Sequence, residues 1–156
     1  MADQTLADLQ RRLQKLEDKD SIVTLLNQYC QHVDNHRWDG YTNCFLENGA
    51  VKFENGSDVV GRASIGAQMS SVGNRFQALQ HSLTNIDLII DGDKATGSCY
   101  LWFAAIVDTS KPHEYHGFGG PYKFEFSRTD EGWKIASVQL RKLWAQNPDT
   151  EGVFGG

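Results

Sequence analysis

Asp34 and His81 offer the most chemistry in this 156-residue chain. An imidazole titrates near pH ~6.5 and so can take up or release a proton at neutral pH. A carboxylate hydrogen-bonded to one ring nitrogen fixes the tautomer that leaves the other nitrogen as a base. Both residues also have plainer readings. Asp34 ends an amphipathic stretch, about 90° around from the middle of the stripe Ile22, Leu26, Cys30 and Val33, where a carboxylate also serves as a surface group near a helix end. His81 starts a strand that alternates through Leu83, Asn85, Asp87 and Ile89, where a lone histidine also serves as a hydrogen-bonded structural group. Tyr29 lies on the other flank of the helical stripe, a position that suits a core tyrosine.

Around such a pair an apolar wall would make a flat binding site. Tyr100, Trp102, Ala104 and Ile106 share one face of a strand, and Gly120, Tyr122, Phe124 and Phe126 share one face of the next, opposite Lys123 and Glu125. The aromatic sides are expected to point inward.

Other chemistries find less support. His32 and His36 are four apart, but they lie on the far side of the helix from Asp34 and lack the glutamate of the HExxH pattern, and His113 and His116 fall in a loop, so no metal site is expected. The glycines of GFGGP and GRASIG match neither phosphate-loop nor dinucleotide patterns, and no serine nucleophile elbow is present. Cys30, Cys44 and Cys99 have neither CxxC spacing nor a CxxH partner and read as buried free thiols.

The elements that must position these residues follow from periodicity. Leu6, Leu9, Leu13 and Leu16 stand at helical spacing, Asp18 to Ser21 offer capping side chains, and Ile22 to Val33 resume the pattern, which predicts one broken helix or two in succession. A short helix is expected over Trp38 to Phe45, ended by Asn48-Gly49 with a residue pair suited to positive φ. Ala50 to Glu54 reads as a strand, Asn55-Gly56 as a turn and Ser64 to Phe76 as a helix. Four long strands then cover Leu79 to Ile90, Ala95 to Val107, His116 to Arg128 and Trp133 to Trp144, with hairpin joints at Asp91-Gly92-Asp93 and Asp130-Glu131-Gly132. Helices first and an antiparallel meander afterwards is an α+β order, a curved sheet closed by helices around a concave interior. The whole chain is expected to be one domain, with its core at about 16–145 and a loose tail at 146–156.

Composition narrows the partners. The formal charge of −5, with no block of Lys or Arg, gives little to neutralise a phosphate backbone, so nucleic acid is not expected. No apolar run approaches the ~20 residues that cross a bilayer, and the polar start has no secretory pattern, so a cytoplasmic protein is expected.

The segments LEDKDSIVTLLNQYCQHVDNHRWDGYTNCF, FENG, GRASI, QHSLTNIDLIIDGDKATG and GGPYKFEFSRTDEGWKIASVQLRKLWA together resemble the SnoaL-like group of the nuclear transport factor 2-like superfamily, from about Leu16 to Ala145. The resemblance implies a cone of curved antiparallel sheet closed by N-terminal helices. Within the superfamily the chain is most similar to the branch of scytalone dehydratase, bile-acid dehydratase and lindane dehydrochlorinase. That likeness implies a lyase or isomerase without a cofactor, acting on a cyclic, mostly apolar substrate of polyketide, terpenoid or steroid type. Asp34 and His81 match the family's Asp-His dyad, and Tyr29 matches a tyrosine that polarises a substrate oxygen.

Phe53, Trp102 and Tyr122 are expected to hold the ring. Relatives place a further polar group where this chain has Ala104 and Ile106, and His116, Tyr122 or Arg141 would supply a compensating donor. The same resemblance leaves open a cyclase or epoxide-opening enzyme, or a ligand-binding or structural subunit, and it implies a homo-oligomer, dimer or trimer.

Overall fold

Residues Ala2 to Asp34 form one unbroken helix, α1, in the computed structural model, which describes residues 2–54 and 57–154. The expected break is a change of face. At about 100° per residue, Leu6, Leu9, Leu13 and Leu16 centre about 150° around the helix from Ile22, Leu26, Tyr29 and Val33. Only the second set packs on the rest of the chain, and all four leucines are exposed. Asp18 caps nothing. Its carboxylate accepts from Gln14 Nε2 at 3.0 Å, Arg128 Nη2 at 2.7 Å and Trp133 Nε1 at 3.2 Å, so it ties the helix to the sheet while the backbone runs on.

A short helix, α2 (Trp38–Asn43), leads directly into β1 (Phe45–Phe53). The pair Asn48-Gly49, expected to end α2, lies inside β1, and neither residue has positive φ. It sits where the register against the last long strand shifts, and a Cβ on Gly49 would lie 3.0 Å from Leu46 O and 3.2 Å from Ile135 O. The glycine is needed for close approach at a bulge. The expected turn at Asn55-Gly56 lies outside the described residues.

After β2 (Val59–Val60) and α3 (Arg62–Gly73) come β3 (Ala78–Asp91), β4 (Lys94–Ile106), β5 (Tyr115–Thr129) and β6 (Gly132–Leu140). Both expected hairpins form, with Asp91 opposite Lys94 and Thr129 opposite Gly132. The strands run in the order β2-β1-β6-β5-β4-β3, antiparallel except for the parallel pair β1 and β6. This is the mixed α+β architecture expected, a curled open sheet with the helices against it.

The last expected strand divides. β6 stops at Leu140, and β7 (Trp144–Gln146) pairs with the first half of β5 instead. Gly119 and Gly120 make room for that crossing. A Cβ on Gly119 would lie 2.5 Å from the Trp144 ring, and one on Gly120 would lie 2.1 Å from Arg141 O.

The expected loose tail is anchored near its end. Val153 and Phe154 pack on the core, and the Phe154 N–H donates to Asp149 Oδ2 at 2.7 Å. Phe154 lies against Phe76, Phe103 and Phe118 at centroid separations of 5.2 to 5.3 Å. The partly buried Phe154 ring offsets part of the entropy lost in ordering the chain end.

Among the described residues, no helix is long and apolar enough to cross a membrane.

Candidate active site

Asp34 is the last residue of α1, and His81 lies near the start of β3, the strand that α1 packs against. The carboxylate holds the histidine at two points. His81 Nδ1 lies 2.6 Å from Asp34 Oδ1, and the His81 backbone N–H donates to Oδ2 at 2.9 Å. Using both oxygens on one residue fixes strand and ring together. Nδ1–H is then the donor, and Nε2 carries the lone pair. Among the described residues Nε2 has no hydrogen-bond partner. The ring rests on Phe103, with centroids 4.6 Å apart, and its edge meets Tyr29 at 6.5 Å.

His81 lines a cavity of about 630 Å³ between α1, α3 and the concave side of the sheet. The volume suits a small organic molecule. Its walls are mostly apolar, with Met69, Phe76, Leu79, Phe103, Phe118 and Phe154 among them. Tyr29 and Tyr122 supply hydroxyls on the inner wall, 3.1 Å apart and hydrogen-bonded to each other. Burial pushes both well above the ordinary tyrosine range, Tyr29 further through its neighbours Tyr122 and Tyr41. Both stay neutral donors at working pH.

Of the other expected binding residues, Phe53 lines the cavity at its mouth, 40% exposed. Trp102 does not reach it. The register sets Cys99 opposite Tyr122 and Phe103 opposite Phe118, so the inner face of β4 carries Cys99, Leu101, Phe103 and Ala105. Tyr100 and Trp102 lie on the convex side, about half exposed, with Trp102 against Trp144 at 4.5 Å. Lys94, Thr96 and Ser98 share the face of Tyr100 and Trp102 and mark it as the exterior, but the two large rings made that side look like the inner one.

The strand of His81 also departs from simple alternation. Asn85 has φ +56 at a bulge between Thr84 and Asp87, so His81 and Leu83 face in before it and Ile86, Leu88 and Ile90 after it. Ile89, expected on the histidine's side, is exposed.

His116 is on the inner face of β5 but outside the cavity wall. Its ring stacks on Phe154 at 5.5 Å, and Nδ1–H donates to Asn147 O at 2.9 Å. Arg141 lies outside the cavity wall too, its side chain exposed and Nε 3.6 Å from Glu54 Oε1. Neither supplies a donor to the cavity as expected. Arg141 is turned out because β6 ends just before it, and His116 is covered by the anchored tail. Phe154 was missed as a wall residue because a lone aromatic in a glycine-rich terminus has no periodicity.

Among the described residues no cluster of three or more His, Cys, Asp or Glu is placed to hold a metal ion. His36 Nε2 is 3.2 Å from Gly73 O, while the His32 ring packs over Gly40.

Comparison with known proteins gives the same frame. The family model described as a SnoaL-like domain matches residues 14–139. No curated protein matches significantly in sequence. Among solved structures, a nuclear transport factor 2-like protein with a cystatin-like fold from Novosphingobium aromaticivorans superposes with a TM-score of 0.74 at 21% identity, covering 97% of each chain. A scytalone dehydratase-like protein from the same organism gives 0.74 at 17% identity, over 96% of this chain and 93% of that one. A hexachlorocyclohexane dehydrochlorinase of the LinA type from Novosphingobium barchaimii gives 0.74 at 17%, over 89% and 95%. With a family match over most of its length and a helix-closed, curled sheet shared with these structures, the chain belongs to the SnoaL-like domain family of the nuclear transport factor 2-like fold.

Proposed function

We propose that this protein is a cofactor-independent lyase, a dehydratase, that removes a proton and a leaving hydroxyl from a small cyclic, mostly apolar molecule. The observation that carries this reading is the two-point contact of Asp34 with His81 beside an apolar cavity. Asp34 orients the ring, and His81 Nε2 takes the proton from the carbon next to the leaving group and passes it to the departing hydroxyl, which leaves as water. In the hydrogen-bonded pair Tyr29 and Tyr122 one phenol donates to the other, and the second donates to a substrate carbonyl or to the departing oxygen. Because burial keeps both phenols protonated, they stabilise developing negative charge without becoming charged themselves. Phe103, Phe118 and Phe53 hold the ring and exclude water.

The same parts perform a proton shift that isomerises a double bond. His81 would take the proton from one carbon and return it to another while the tyrosines hold an enolate oxygen.

A panel of cyclic hydroxy-ketones is incubated with the protein and the products are read by mass spectrometry for loss of one water. Turnover should fall roughly 10²- to 10⁴-fold in folded His81→Ala. Full turnover by that variant would remove His81 from the mechanism. Tight binding with every bound compound recovered unchanged would make the protein a ligand carrier instead.

A further inference from the structure

The leucines of the first four turns of α1 play no part in the fold. Residues 4–17 include no buried side chain, and Asp18 is the first buried one after them. Leu6, Leu9, Leu13 and Leu16 are 53 to 66% exposed and follow one another at intervals of three, four and three. That is the spacing of successive a and d positions of a heptad, which makes a narrow apolar seam along one side of a helix. A stripe of this kind in water is an unpartnered surface.

We propose that this segment of α1 docks in parallel against the same segment of a second copy of the chain, as a short coiled coil. Three observations select that occupant. The seam lies about 150° around the helix from the face that packs on the sheet, so a second helix can approach while both bodies stay on the outside. Charge then selects the direction. With Leu6 and Leu13 at a, Arg12 is a g residue and Glu17 the following e residue, and both are exposed. A parallel pair places each Arg12 beside Glu17 of the other copy. An antiparallel pair that matched Leu6 with Leu16 would place Arg12 beside Arg12.

Length is the third consideration. A free helix of this size is marginal in water because its first turn is costly to nucleate. Here the second half of α1 is already held by the sheet, so the projecting turns only extend an existing helix. The seam also has a defined end. The next a position is Asp20, exposed and like-charged in the two copies, where the packed part of the chain has begun.

The test is sedimentation equilibrium of the full chain over a range of ~1 to 100 µM. The mass should rise with concentration towards that of two chains. Leu9→Lys with Leu13→Lys should weaken association at least ~100-fold while far-ultraviolet circular dichroism shows the fold intact. Arg12→Glu and Glu17→Arg should each weaken it roughly 3- to 10-fold, and the two together should restore it. A chain that stays monomeric throughout, or a leucine variant that associates like the parent, overturns the proposal. Tighter association in the neutral variant Arg12→Gln would overturn the parallel arrangement, since it would mean that a repulsive Arg12 pair had been relieved.

Discussion

Asp34 spends one carboxylate oxygen on the ring of His81 and the other on the backbone N–H of the same residue, at 2.6 and 2.9 Å. The second bond locks the end of α1 to the strand, so the ring cannot swing away without also breaking a backbone contact. Nitrogen-correlated NMR should therefore show His81 as the Nδ1–H tautomer with Nε2 bare. In Asp34→Ala the tautomers should mix, and stability should drop by about 1–3 kcal/mol as the N–H loses its acceptor. An Nε2–H signal in the parent protein would refute the assignment.

The side-chain directions on β4 can be checked with two neighbouring substitutions. Phe103→Ala should cost about 3–5 kcal/mol in urea unfolding, because the ring is buried between His81, Phe118 and Phe154. Trp102→Ala removes an exposed ring and should cost under about 1 kcal/mol, with ligand binding in the cavity unchanged. Equal effects at the two positions would contradict the register.

Asp18 joins α1 to β5 and β6 through Arg128 and Trp133, and the Arg128 hydrogen bond is the main reason that its carboxyl is held below the ordinary value of 3.8. The stability it contributes is present above that value and is lost as pH falls through the lower folded one. Asp18→Asn should therefore destabilise the protein by about 2–3 kcal/mol at neutral pH, with part of the pair's energy discounted for the solvent that reaches Arg128. The difference between parent and variant should shrink below about pH 4. A constant difference from pH 7 to pH 2, followed by chemical denaturation, would count against this.

At the alkaline end the buried phenols set the behaviour. Tyr29, Tyr41 and Tyr122 are all raised above 10.0, chiefly by burial, and such groups stabilise the fold fully below that value. The stability is lost as pH rises above about 10, because the unfolded chain releases these protons first. Ultraviolet titration should show these three phenolates only as the protein unfolds. Reversible ionisation of all five tyrosines in the folded state would disprove it.

The native thiols should be inert for the same reason. Burial pushes Cys30 and Cys99 up to about 12 and Cys44 to about 11. A disulfide reagent at pH 8 should label none of the three until denaturant is added. Rapid labelling of the folded chain would show that one of them is reachable as thiolate.

Much of this was legible from order and spacing alone. Glycine-bearing joints after Asp91 and Asp130 determined the two hairpins, because tight turns are local. The helix-then-meander order determined the α+β class. The family resemblance singled out Asp34 and His81, each of which has a plain structural reading by local pattern alone, but their separation in space is set by the packing of α1 on β3, because they are 47 positions apart in the chain.

Tertiary structure decided what depends on pairing. The inner face of β4 follows from its register with β5, which turns Phe103 in and Trp102 out, although Tyr100 and Trp102 are the larger rings and only Lys94, Thr96 and Ser98 mark their side as the outer one. The bulge at Asn85 reverses the facing of every later residue of β3, a consequence of one backbone angle that no periodicity announces. Phe154 became a cavity wall because β7 crosses beside Gly119 and Gly120 and brings the chain end back over His116. The sequence alone determined which residues were able to do chemistry; long-range packing decided which of them share a cavity.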